Sequence, residues 1–351
     1  MIRSKKAVRT GNERLLEQLE KHRRGLKGHL QKASEFLIKC QIVAPYVERG
    51  TLHGCVCPWE IKESADEGSF PMVEDFHDTL EAIWIWSLYT KVSGDMSFRP
   101  SVNWAWKYIV KNWNRFIGKE NMKDKGLYDC SCVLFSGTLL ASVFDGKCQS
   151  RFLLAGNRLA EHLSRLNSTD GREYYDPYWM AYSLELAAKK LKQTQWRLAA
   201  EAFVKNTMIN RKDSFTRLEE EPDHAGPGGH DFFSKNANMA LALISCLDHE
   251  RITEKILLTK FLPCVPANFV DRKADENAWN AHLATALGKS YLLTGKKEFL
   301  RRYFAIMNEL ARRDDRASAA LPRSPSFDRR ESWVTFFYAH AYASVMENLI
   351  D

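Results

Sequence analysis

The residues best suited to chemistry stand in a few short acidic stretches. Glu74-Asp75-Phe76-His77-Asp78 is followed by Glu81. On a helix, His77 and Glu81 (i, i+4) share a face, as do Asp78 and Glu81 (i, i+3). Five more stretches repeat the theme of a carboxylate beside an aromatic, a histidine or an arginine. They are Tyr128-Asp129-Cys130-Ser131-Cys132, Tyr174-Tyr175-Asp176-Pro177-Tyr178-Trp179, Gly228-Gly229-His230-Asp231, Asp275-Glu276-Asn277-Ala278-Trp279 and Arg329-Arg330-Glu331-Ser332-Trp333. Each acid alone reads as ordinary helix capping. Gathered on one rim, they read differently. Two carboxylates across a cavity can serve as general acid and general base on a glycosidic bond. Asp75, Asp78, Asp129, Asp176, Asp231 and Asp275 form the pool, with His77 and His230 among them. Tyr175, Trp179, Trp279, Arg330 and Trp333 are the expected substrate-binding residues, because sugar faces stack on aromatic rings. A lyase would instead use Tyr175, His230, Asn280, His282 and Arg330. Within an apolar helix, His282 is also expected as a core histidine.

Thiols offer a second chemistry. Cys55-Val56-Cys57 follows His53, and Cys130-Ser131-Cys132 follows Asp129. Thiolate, imidazole and carboxylate all bind zinc. The Cys-x-Cys spacing differs from the common Cys-x-x-Cys, so buried free thiols are the expected reading and zinc the alternative. Ala225-Gly226-Pro227-Gly228-Gly229 lacks the Gly-Lys-Ser/Thr of a phosphate-binding loop and is expected as a mobile rim loop leading into His230.

These stretches need elements to hold them, and the pattern is helical. Lys296–Arg313 puts Phe299, Leu300, Tyr303, Phe304, Met307 and Leu310 on one face, the mark of a surface helix. Asp275–Leu293 is apolar nearly all round, the mark of a buried one. Leu293-Thr294-Gly295 links them, with Gly295 suited to a C-cap. The buried-then-surface pair recurs at 75–91 with 97–116, 128–144 with 147–166, 175–192 with 195–210, and 231–247 with 250–262. Arg330–Ile350 is a sixth buried helix, and Asn12–Cys40 supplies the missing outer one. Six inner and six outer helices close into a ring, and the loops before the inner helices then meet on one face.

This alternation, with turns such as Val92-Ser93-Gly94-Asp95, resembles the α/α-toroid folds. They include six-hairpin glycosidases and polysaccharide lyases, and terpenoid cyclases and protein prenyltransferases. Lys32–Gln41 is similar to the first half of the terpenoid-cyclase QW repeat, although Gly54 and Trp59 are out of register for the second half. Glu74-Asp75-x-x-Asp78 is similar to the aspartate-rich magnesium motif of class I terpene synthases. His230-Asp231-Phe232-Phe233-Ser234 resembles their second metal motif, with Asn238 where the family has Glu. The isoprenoid resemblance implies Mg²⁺ or Zn²⁺; a hydrolase needs no cofactor.

Composition bounds the rest. The chain has 351 residues, 45% hydrophobic and 27% charged, which excludes disordered, collagenous and fibrous classes. Residues 1–32 hold ten Lys or Arg against three Glu, matching the whole net charge of +7. Without a nucleic-acid motif this reads as a solvated helix face, and no nucleic-acid partner is expected. No apolar run suits a membrane span, and no secretory h-region follows the basic start, so a cytoplasmic setting is expected. The expectation is one all-α (α/α)6 toroid domain over residues 1–351, with 1–11 a disordered basic tail. Its expected function is that of a carbohydrate-active hydrolase or lyase taking a small-molecule or oligosaccharide ligand. An isoprenoid enzyme and a non-catalytic binding or scaffold protein are the alternatives.

Overall fold

The computed structural model describes residues 11–43, 52–61, 75–117, 124–143, 149–166, 177–210, 214–216, 231–248, 250–267 and 276–346. Within them the inner helices are α2 (Phe76–Ser93), α4 (Asp124–Val143), α6 (Pro177–Leu191), α8 (Asp231–Cys246), α10 (Asn277–Thr294) and α12 (Ser332–Ala343). The outer helices are α1 (Gly11–Cys40), α3 (Arg99–Phe116), α5 (Gln149–Arg165), α7 (Thr194–Val204), α9 (Arg251–Ile256) and α11 (Lys297–Arg313). A wider π-helical turn extends α7 over Lys205–Asn210, and another carries α9 through Leu257–Phe261 into Leu262–Cys264.

Apolar pattern decides the layer each helix joins. In α2 every residue from Asp78 to Thr90 is buried, and α10 buries nearly as much of its length. Helices apolar all round have no face to give water, so others must surround them. In α11 the buried residues are Phe299, Leu300, Tyr303, Phe304, Ile306, Met307 and Leu310, one stripe of an otherwise charged helix. Glycine ends two inner helices. Gly94 (φ 73°) and Gly295 (φ 66°) take the left-handed conformation, and their N–H groups bond Thr90 and Tyr291 at 2.8 Å.

The inner helices pack in sequence, α2 on α4, α4 on α6, α6 on α8, α8 on α10 and α10 on α12, and α12 returns to α2. That last contact makes the array a ring, and α1 seals the seam by packing on both α2 and α12. Backbone pairing among the described residues is limited to isolated bridges, Gln41 with Val56, Trp59 with Glu331 and Pro322 with Arg330. The first holds the 52–61 segment to the end of α1, where Gln41 Nε2 also donates to the carbonyls of Gly54 (3.2 Å) and Ser101 (2.9 Å).

At mid-height the ring axis is packed. Trp84 stacks on Phe135 at 5.4 Å and meets Phe336 and His340 edge-on. Trp179 joins at 5.3 Å from Phe135 and 5.5 Å from His282. The expected cavity is therefore closed below its mouth, and polar groups gather at the end where the inner helices begin.

Candidate functional site

Asp75 starts α2. Its backbone is extended (φ −131°, ψ 121°), and its Oδ1 accepts the N–H groups of His77 at 3.0 Å and Asp78 at 3.2 Å. This satisfies two of the donors that a helix start leaves unpaired. The first turn then sets His77 between two carboxylates. Its Nδ1 lies 2.9 Å from Asp75 Oδ1, and its Nε2 lies 3.2 Å from Asp78 Oδ1. Ser332, the first residue of α12, donates its hydroxyl to Asp78 Oδ2. Its N–H donates to the Pro58 carbonyl at 2.8 Å, and Cys57 O lies 3.0 Å from its Oγ. Glu81 sits one turn below Asp78, and its Oε2 has no hydrogen-bond partner. Tyr128 of α4 meets the His77 ring edge-on at 5.6 Å.

Exposure separates two tiers. Asp75 and His77 are 16% and 25% exposed, whereas Asp78 is 2% and Glu81 3%. Burial pushes the Asp78 carboxyl up to about 7, helped by the Asp75 charge and opposed by His77 and Ser332. Burial and the Asp78 charge hold Glu81 well above the carboxylate range. For His77 burial acts downward, but the Asp75 contact and the charges of Asp75, Asp78 and Glu81 prevail and raise it to about 10. Burial thus favours the protonated form of the two inner acids, while the carboxylates around His77 favour its imidazolium.

On the α10–α12 side lies an aromatic rim. Trp279 and Trp333 are half-buried, with ring centres 5.7 Å apart. The Arg323 guanidinium lies 5.9 Å over Trp333 and binds Glu276 Oε1, 2.7 Å from its Nε. Trp333 Nε1 donates to Glu331. Glu331 bridges to Trp59, and the Arg329 guanidinium covers the Trp59 ring at 4.8 Å.

Several expectations need correction. Helix α4 begins at Asp124, so Asp129 lies in its second turn, 1% exposed, rather than at the helix start. Among the inner helices whose N-caps are described, Asp75 alone caps with its side chain; Glu276 and Glu331 hold the N-cap position without a side-chain bond. Trp179 is in the ring core rather than at the rim. Arg330 is buried and tied to Asp315. For His282 the lyase role is what needs correcting, since the residue is buried in the core: its Nε2 meets Asn238 Oδ1 at 2.6 Å, and burial lowers its pKa to about 3. That bond uses the residue expected in a second magnesium motif. The thiols are not part of any group of metal ligands among the described residues, and Cys55 Sγ instead accepts the Asp75 N–H at 3.4 Å. Cys55, Cys57, Cys130 and Cys132 are all buried, and burial raises Cys55 to about 11 and Cys130 to about 12. Among the described residues the one group of potential metal ligands is Asp75, His77 and Asp78. Tyr175, Asp176, His230, Asp275 and the 225–229 loop lie outside the described residues. Asp231 is the first residue of α8, and its side chain is likewise outside them. Sequence reasoning passed over Ser332, Glu276 and Arg323; nothing local marks them, since each acts through a distant segment.

No family model matches the chain, and no curated protein matches it by sequence. Solved structures match it by shape. The GH76A α-1,6-mannanase from Salegentibacter sp. HEL1_6 superposes with a TM-score of 0.61 at 9% identity, covering 93% of this chain and 100% of the mannanase. An inactive variant of that mannanase, with two adjacent aspartates changed to asparagine and α-1,6-mannotriose bound, gives 0.60 at 10% identity over 91% and 98%. The closed inner ring, the outer helix sealing it and this full-length superposition identify the fold as an (α/α)6 toroid.

Proposed function

We propose that the chain is a carbohydrate-active enzyme that cleaves a glycosidic bond by acid–base chemistry at the Asp75–His77–Asp78 cluster. The observation that carries this reading is the geometry of the cluster, a partly exposed His77 set between the carboxylates of Asp75 and Asp78 at 2.9 and 3.2 Å. Burial raises the Asp78 carboxyl to about 7, which suits it to exchanging a proton near neutrality through His77. Such a pair can deliver a proton to a leaving oxygen while a second carboxylate activates water. Asp75, nearer solvent, is the substrate-facing acid; His77 links it to Asp78. Trp279 and Trp333 supply faces for a pyranose ring. The mannotriose-bound toroid supports an oligosaccharide ligand in this fold.

The chemistry differs in layout from that mannanase. This sequence has one adjacent aspartate pair, Asp314-Asp315. Asp314 spends its carboxylate on the N–H groups of Ser318 (2.9 Å) and Ala319 (2.8 Å), and Asp315 pairs with Arg330. The proposed acids are instead three residues apart on α2. The test is incubation of the purified protein with α-1,6-mannotriose and a panel of other neutral and acidic oligosaccharides, with reducing ends counted. Turnover that is lost in Asp75→Asn and Asp78→Asn supports the reading. Saturable binding without turnover would favour a non-catalytic binding protein, the reading to which the packed ring axis also points.

A further inference from the structure

We propose that Asp75, His77 and Asp78 form a binding site for a divalent cation of the zinc, cobalt or manganese type. One donor atom from each residue falls within 4.8 Å of the other two. The two imidazole–carboxylate separations, 2.9 Å from Nδ1 to Asp75 and 3.2 Å from Nε2 to Asp78, are each the spacing of neighbouring donors about 2.1 Å from a metal, so either ring nitrogen can share a metal with the carboxylate beside it. One ring nitrogen ligates at a time, so the imidazole turns toward one carboxylate as the metal replaces its proton.

A second observation points the same way. Glu81 is 3% exposed, and its Oε2 has no hydrogen-bond partner. An orphaned carboxylate oxygen in the interior is costly. It stands on the His77 face of α2, one turn below Asp78. Neither Asp78 nor Glu81 pairs with a lysine or arginine among the described residues. His77 is the basic side chain set against Asp75 and Asp78, and a dication would meet the same carboxylates. Ser332 holds Asp78 from behind, the kind of support that orients a metal-ligating carboxylate. Asp75 and His77 are open to solvent on the other side, which provides entry and leaves coordination positions free.

The donor set decides the metal class. Imidazole nitrogen with carboxylate oxygen suits zinc, cobalt and manganese, while magnesium and calcium prefer all-oxygen shells. The thiols weighed as zinc ligands are not part of the group. This site does not depend on glycan cleavage, although vicinal sugar hydroxyls would fit its open positions.

The test is titration of the full chain with Co²⁺ in metal-free buffer, read by visible absorption. The expected result is one Co²⁺ per chain with bands stronger than those of the aqua ion, displaced by Zn²⁺ and not by excess Mg²⁺. Affinity should fall by at least about tenfold in His77→Ala and in Asp78→Asn, and stay unchanged in the surface variant Asp315→Asn. The aqua-ion spectrum, or undiminished binding in folded His77→Ala and Asp78→Asn, would overturn the proposal. Should His77→Ala fail to fold, Mn²⁺ bound to the wild-type chain decides by pulsed paramagnetic resonance. Coupling to an imidazole nitrogen supports the site and its absence overturns it. No sugar enters the assay, so its failure leaves the glycosidase reading standing, and the reverse holds.

Discussion

The Ser332 hydroxyl donates to the Asp78 carboxylate, joining residues 254 apart in sequence and tying the last inner helix to the first. It is a charge-assisted bond in a buried place, and it lowers the Asp78 pKa. Ser332→Ala is expected to lose about 1–3 kcal/mol of stability by leaving a buried acceptor unsatisfied. Urea unfolding measures this loss. The same variant should hold the Asp78 proton to higher pH, visible in the carboxyl carbon shift of the residue.

The protonation of the cluster sets a pH dependence with a definite sign. His77 is raised to about 10 and Asp78 to about 7 in the folded chain. A group whose folded pKa is raised binds protons more tightly in the native state. Its stabilising effect is full below the unfolded pKa and disappears as pH climbs through the folded value. Stability should therefore fall from about pH 4 to 7 through Asp78, and from about pH 6.5 to 10 through His77. Glu185, raised to about 7 by burial, acts in the same direction as Asp78. Melting temperatures across pH 5–10 test this. His77→Gln should flatten the limb between pH 7 and 10, and an unchanged slope there would sink the assignment.

The ring was legible because burial leaves a mark on composition. Trp84, Ile85, Trp86 and Leu88 leave α2 no polar face, while α11 alternates stripe and charge. Gly94 and Gly295 gave the turns. The His77–Glu81 spacing placed half the cluster on one helix face. Helix starts were less legible: Lys125-Gly126 looks like a turn, yet it lies inside α4, which moves Asp129 inward. The partners of that half-cluster were not legible at all. Ser332 meets Asp78 only because α12 closes on α2, and closure is set by the packing of all six pairs. Trp179 misled for a related reason. Its place near a helix start suggested a rim, but the ring axis takes in any large side chain that points along it.

Gly54 is a backbone requirement close to the site. Its φ is +94°, and a Cβ there would lie 2.1 Å from the Trp104 carbonyl oxygen. Both the conformation and the clash oppose any side chain. Gly54→Ala is expected to cost about 2 kcal/mol or more and to lower the melting temperature by about 4 °C or more. Gly28 is the control, because it lies in α1 with nothing within 4 Å of a built Cβ. Gly28→Ala should stabilise by about 0.5–1 kcal/mol through helix propensity. Calorimetry of the two variants reads both signs at once.

The aromatic rim gives the prediction that best separates ligand binding from folding. Trp333 is half-buried, set against Trp279 and beneath the Arg323 guanidinium, and Arg323 is itself held by Glu276. Losing the indole removes a stacking face without opening the ring core, where Trp84 and Phe135 remain packed. Trp333→Ala should weaken oligosaccharide binding by about tenfold or more, as truncation of a central aromatic anchor does, while shifting stability by less than Trp84→Ala. The latter empties the ring axis and should cost about 3–5 kcal/mol. Isothermal titration with the best ligand of the panel, set beside urea unfolding of both variants, makes the comparison. If Trp333→Ala binds as wild type does, the rim is packing alone and the ligand lies against the Asp75 side of the mouth.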